Sequence, residues 1–112
     1  MNSIEVGKQG ESMAAMLLQQ KGYQILQRNY RCRAGEIDLI AAKGSQLRFI
    51  EVKTRQSDRY GRPCEAVTAQ KQRRIRQAAG CYLKERKRHN CLQTCIHFDV
   101  MEIMINHMQD VF

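Results

Sequence analysis

Two apolar runs separated by three residues constrain this chain most. Glu36-Ile37-Asp38-Leu39-Ile40-Ala41-Ala42 and Gln46-Leu47-Arg48-Phe49-Ile50-Glu51-Val52-Lys53 flank Lys43-Gly44-Ser45. Strand-like runs on either side of Gly-Ser predict a tight hairpin. With a two-residue turn at Gly44-Ser45, Asp38 faces Glu51, Glu36 faces Lys53, Ile40 faces Phe49 and Ala42 faces Leu47. The opposite side carries Ile37, Leu39, Ala41, Ile50 and Val52. Both sides are rich in apolar residues, so the hairpin belongs in the middle of a sheet covered on both faces.

The rest of the chain supplies the cover. Gly10, Met13, Ala14, Leu17 and Leu18 recur at three and four, which predicts a helix from Ser3 to Gln20 ending at Lys21-Gly22. Tyr23 to Tyr30 reads as a first strand, and the polar stretch Thr54 to Glu65 as a loop. A second helix is expected from Ala66 to Lys87, with Ile75, Ala78, Ala79, Tyr82 and Leu83 as its apolar stripe. Ile96 to Ile105 alternates and predicts a last strand. The order is helix, three strands, helix, strand: an α/β architecture with a mixed central sheet flanked by helices, in one domain spanning residues 1–112. The methionines of the first helix (Met13, Met16) and of the chain's end (Met101, Met104, Met108) are expected in the core.

No signal-peptide pattern and no apolar run of membrane-spanning length occurs, which points to a cytoplasmic protein. The five cysteines are odd in number and irregularly spaced, so free thiols are expected. His89, Cys91, Cys95 and His97 lack the paired Cys-x-x-Cys spacing of common zinc sites and carry no metal reading.

Charge is distributed unevenly. Residues 55–90 carry eleven Lys and Arg against three acids, whereas the remainder carries eight of each sign. The whole net charge of +8 therefore lies in the loop and second helix. Such a block points to a polyanion, nucleic acid before a membrane surface. Arg73, Arg74 and Arg76 on the helix are the expected phosphate contacts, and Arg55, Arg59 and Arg62 a clamp beside the hairpin's end.

That end is acidic. Facing carboxylates about 5 Å apart repel by roughly 3 kcal/mol at an effective dielectric of about 20. Asp38 and Glu51 therefore call for a cation. A divalent ion with a taste for hard oxygen ligands, Mg²⁺ or Mn²⁺, is one reading. A buried Glu–Lys ion pair, with Asp38 capping a strand end, is the other, and the pattern alone leaves both open.

Glu11 after Gly7-x-x-Gly10, Gly35-Glu36-Ile37-Asp38-Leu39-Ile40, Phe49-Ile50-Glu51-Val52-Lys53-Thr54-Arg55, Tyr60-Gly61-x-Pro63 and Lys71 resemble the bacterial YraN-like family. That family in turn resembles the restriction-endonuclease-like, or PD-(D/E)XK, nuclease superfamily, close to Holliday junction resolvases. The resemblance implies a restriction-endonuclease-like core and metal-assisted phosphodiester hydrolysis, probed first on DNA and then on RNA. It implies that Asp38 and Glu51 bind the metal, that Glu11 completes the metal site or holds a metal-bound water, and that Lys53 positions or helps deprotonate the attacking water and stabilises developing negative charge. Lys71 joins Arg73, Arg74 and Arg76 among the expected nucleic-acid contacts. A homodimer is also implied, since related junction-cutting enzymes act on two strands. Two rival readings accompany this one: a nucleic-acid-binding module without turnover, and a scaffold whose basic face binds another protein.

Overall fold

The computed structural model describes residues 3–55, 67–87, 94–105 and 108–112. Helix α1 (Ser3–Gln20) is followed by strands β1 (Gln24–Cys32), β2 (Gly35–Lys43) and β3 (Gln46–Arg55), helix α2 (Ala69–Lys87) and strand β4 (Cys95–Met104). The strands form one sheet in the order β1-β2-β3-β4, antiparallel from β1 to β3 and parallel between β3 and β4. This is the expected α/β architecture with a mixed sheet.

The hairpin has the expected register, with Ile40 opposite Phe49 and Ala42 opposite Leu47. Gly44 takes a φ of 57°, as the first central residue of a two-residue turn requires, and Ser45 needs no positive φ. The ladder ends at Leu39–Ile50, one residue short of Asp38 and Glu51. Glu36 lies opposite Arg31 of β1 and pairs with it at 3.3 Å, rather than facing Lys53 across a continued ladder.

Each face of the sheet has its own core. Ile40, Ala42, Leu47 and Phe49 pack under Ile75, Ala78, Ala79 and Tyr82 of α2. Leu39, Ala41 and Ile50 pack under Ala14, Ala15 and Leu18 of α1. Ile37 is the exception to strand alternation: it joins the α2-side core, beyond the last β2–β3 pair.

Helix α1 has the bounds its periodicity predicts, but its buried stripe is Val6, Gly10, Ala14, Ala15 and Leu18. Met13, Met16 and Leu17 are exposed, which corrects the expectation that the two methionines pack in the core. Small residues in the middle of the stripe (Gly10, Ala14 and Ala15) let the helix sit close to the sheet there, with Val6 and Leu18 buried at the two ends. At Gly10 the approach is closest: a Cβ there would lie 1.8 Å from Thr54 Oγ1. Met104 is exposed as well, because β4 is an edge strand and only one of its faces reaches α1, and Met108, beyond the strand, is exposed too.

Helix α2 begins three residues later than its periodicity predicts. Thr68 Oγ1 accepts the Lys71 N–H at 3.2 Å and the Thr68 carbonyl accepts the Gln72 N–H at 2.9 Å, so Thr68 is the N-cap. At the far end of α1, Tyr23 N–H returns to Leu18 O at 2.9 Å around Gly22, whose φ is 92°. Thr54 and Arg55, expected in a loop, extend β3, and the rest of that loop lies outside the described residues. No described helix is long and apolar enough to cross a membrane.

Candidate acidic site beside helix α2

Strand β3 places Glu51 on the α2 side of the sheet, in line with Leu47 and Phe49. Asp38 sits where β2 has left the ladder. Its Oδ2 accepts the main-chain N–H of Val52 at 2.7 Å, and its carboxyl is in hydrogen-bond contact with that of Glu51. The expected facing pair is therefore brought together, and Asp38 also caps the strand end. The strand-end cap belongs to the ion-pair alternative read from the pattern.

Burial pushes the Asp38 carboxyl up to about 7, against the opposing pull of the Val52 N–H. The charges of Glu51 and Glu11 push in the same direction as burial, as does the hydrogen bond to Glu51. A contact between two carboxyls requires a shared proton or a cation, because two bare carboxylates cannot approach so closely.

Lys71 supplies a positive charge. Its ammonium is bonded to Glu51 Oε1, and the Glu51 side chain is only 10% exposed. The sequence placed Lys71 among the phosphate contacts, and the structure places it in the acidic site, on the lining of the cleft. A signal for this existed: Lys71 stands one helical turn before Ile75 and two before Ala78, on the stripe that faces the sheet.

The remaining residues divide. Lys53 follows Glu51 by two along β3, shares its face and is half-buried. Glu11 is half-buried on α1 and acts on Asp38 through its charge. Among the described residues no three His, Cys, Asp or Glu groups converge as a metal site, so Glu11 does not complete a carboxylate triad with Asp38 and Glu51. Two hard carboxylate donors in contact, one retaining a proton near neutrality, do fit a divalent ion that replaces that proton.

The site opens into a cleft of about 620 Å³ between the β1–β2 turn and α2. Arg74 lines it beside Asp38, Glu51 and Lys71, and its backbone lies against Gly35, where an added Cβ would come within 3.3 Å of Arg74 O. Arg73 and Arg76 are exposed on α2, with the Arg76 guanidinium 5.0 Å from the Phe98 ring centre. Arg55 differs from the expected clamp: its guanidinium pairs with Glu102 at 3.0 Å and is 24% exposed. Arg59 and Arg62 lie outside the described residues.

Fold and site together define a mixed α/β protein with a cation-compensated carboxylate pair at the end of its central hairpin. Residues 10–103 match the model of the uncharacterised protein family UPF0102. A UPF0102 protein of Caldicellulosiruptor saccharolyticus is 42% identical over 99% of this chain and 92% of its own length. One from Rhodococcus opacus is 49% identical over 95% of this chain and 87% of its own, and one from Chlorobium chlorochromatii 48% over 97% and 81%. The chain belongs to the UPF0102 family.

Proposed function

We propose that this chain binds nucleic acid, DNA before RNA, in the cytoplasm and hydrolyses phosphodiester bonds with Mg²⁺ or Mn²⁺ held by Asp38 and Glu51. The carboxyl contact between those two residues carries the reading, since it gathers two hard oxygen donors at the edge of a cleft lined by Arg74. A cation bound there supplies a lowered water pKa and screening of phosphate charge. Lys53 orients the attacking water and stabilises the negative charge that develops on phosphate. The charge of Glu11 disfavours ionised Asp38, which keeps its proton until a cation replaces it. Arg73, Arg74 and Arg76 bind the backbone phosphates and fix its path along α2.

One observation favours a second reading. The Lys71 ammonium already compensates Glu51, so the acidic pair is satisfied by the protein's own charge and a proton. A nucleic-acid-binding module without turnover needs no more than that.

Cleavage assays on branched and single-stranded DNA with Mg²⁺ or Mn²⁺ separate the two. The hydrolase reading expects strand scission that Asp38→Ala abolishes. Salt-dependent binding with no scission in either metal leaves the binding module. Absence of any salt-dependent affinity removes both and leaves the protein-binding scaffold.

A further inference from the structure

Two cysteines come together where β1 packs against α2, and one of them, Cys32, lines the same cleft. Cys32 closes β1, one residue before the turn at Arg33-Ala34, and pairs with Gly35 across it. Cys81 lies on α2, and both residues pack against the α2-side core. Both are free thiols, and their side chains are in hydrogen-bond contact. Forty-nine positions separate them in sequence, so only the fold brings them together.

Their surroundings differ. Burial acts to raise the Cys32 thiol, but hydrogen bonds from Cys81 and from the Ala34 and Gly35 amides outweigh it and lower it. Cys81 is raised, first by its hydrogen bond to Cys32 and then by burial. Glu85 opposes ionisation of both thiols, while Lys84 favours that of Cys81. Cys32 is half-buried and lines the cleft, so a small oxidant reaches its sulfur from solvent.

We propose that Cys32 and Cys81 form a reversible oxidation site that a hydroperoxide converts into an intramolecular disulfide. The Cys32 thiolate attacks one peroxide oxygen, breaking the O–O bond. Sulfur gains that oxygen as a sulfenic acid, and the other oxygen leaves as water or alcohol after taking a proton. The Cys81 sulfur, losing its proton, then attacks the sulfenic sulfur, and the hydroxyl leaves as water. Each thiol has lost one electron and the peroxide has gained two. The new bond ties the β1–β2 turn to α2 and fixes the spacing of the two walls that Cys32 and Arg74 contribute. This site does not depend on what the cleft binds.

Peptide mapping tests it. The reduced full chain is treated with one equivalent of hydrogen peroxide, blocked with iodoacetamide and digested without reductant. The expected result is a dominant Cys32–Cys81 linked peptide, two hydrogens lighter than its parts and released by dithiothreitol. On brief alkylation of the untreated protein, Cys32 reacts several-fold faster than Cys81. In Cys81→Ser, peroxide leaves Cys32 as a sulfenic acid that dimedone labels. A dominant link involving Cys64, Cys91 or Cys95, or linkage only between chains, overturns the proposal. So does full alkylation of Cys32 and Cys81 after peroxide treatment. Should the serine variant fail to fold, the map of the unaltered chain decides alone.

Discussion

Asp38 Oδ2 accepts the main-chain N–H of Val52 at 2.7 Å, taking over from the ladder where β2 and β3 part. One carboxyl therefore does two things: it satisfies a strand-end donor and meets Glu51. The Val52 bond ties the acidic pair to backbone, so its position does not rely on long flexible side chains alone.

Replacing Asp38 by Asn separates those roles. The amide oxygen still accepts from Val52, and the amide nitrogen donates to Glu51. The ordinary aspartate value is 3.8 and the folded value about 7. The folded state thus binds the proton more tightly, so Asp38 favours folding most at acidic pH. That contribution fades as pH rises from about 4 to about 7. Asp38→Asn should flatten the decline and stabilise the protein above neutrality by about 1 kcal/mol, after discounting for partial exposure. Urea unfolding across this pH range checks both points.

Lys71→Met should destabilise the fold by about 2 kcal/mol at neutral pH, because Glu51 keeps a nearly buried carboxylate without its ammonium. The proton shared with Asp38 should also be held to higher pH. Chemical denaturation gives the first effect and NMR titration of the Asp38 carboxyl the second.

Gly10→Ala should cost about 2 kcal/mol, since the new methyl meets Thr54 Oγ1 and Cγ2. Thr54→Ala removes both atoms and should restore part of the loss. A double-mutant cycle by thermal unfolding measures the coupling.

Arg73→Ala and Arg76→Ala should each reduce the salt slope of nucleic-acid binding by close to one unit. Arg55→Ala should change the slope less, because its guanidinium already pairs with Glu102. Fluorescence anisotropy at several salt concentrations provides the comparison.

The architecture was legible because each element announces itself locally. Gly44-Ser45 fixes the hairpin register, and Ile75, Ala78, Ala79 and Tyr82 mark the α2 stripe. The meeting of Asp38 and Glu51 followed from that register. Three features were hidden. The α1 stripe is set by how closely Gly10 and Ala14 let the helix approach, and hydrophobicity says nothing about distance. The place of Lys71 depends on how the helix is rotated over the sheet, which overrides its basic charge as a guide. The end of the ladder at Leu39 depends on strand divergence, so Glu36 turns to Arg31 rather than Lys53.

The Thr68 cap has one more consequence. Its hydroxyl grips the amide of Lys71 itself, so the first turn of α2 is clocked from within the helix. The angular phase that aims Lys71 at Glu51 is then independent of the residue count in the stretch before Val67. Insertions and deletions there can be absorbed without re-aiming the ammonium, provided Thr68 and Lys71 stay three positions apart.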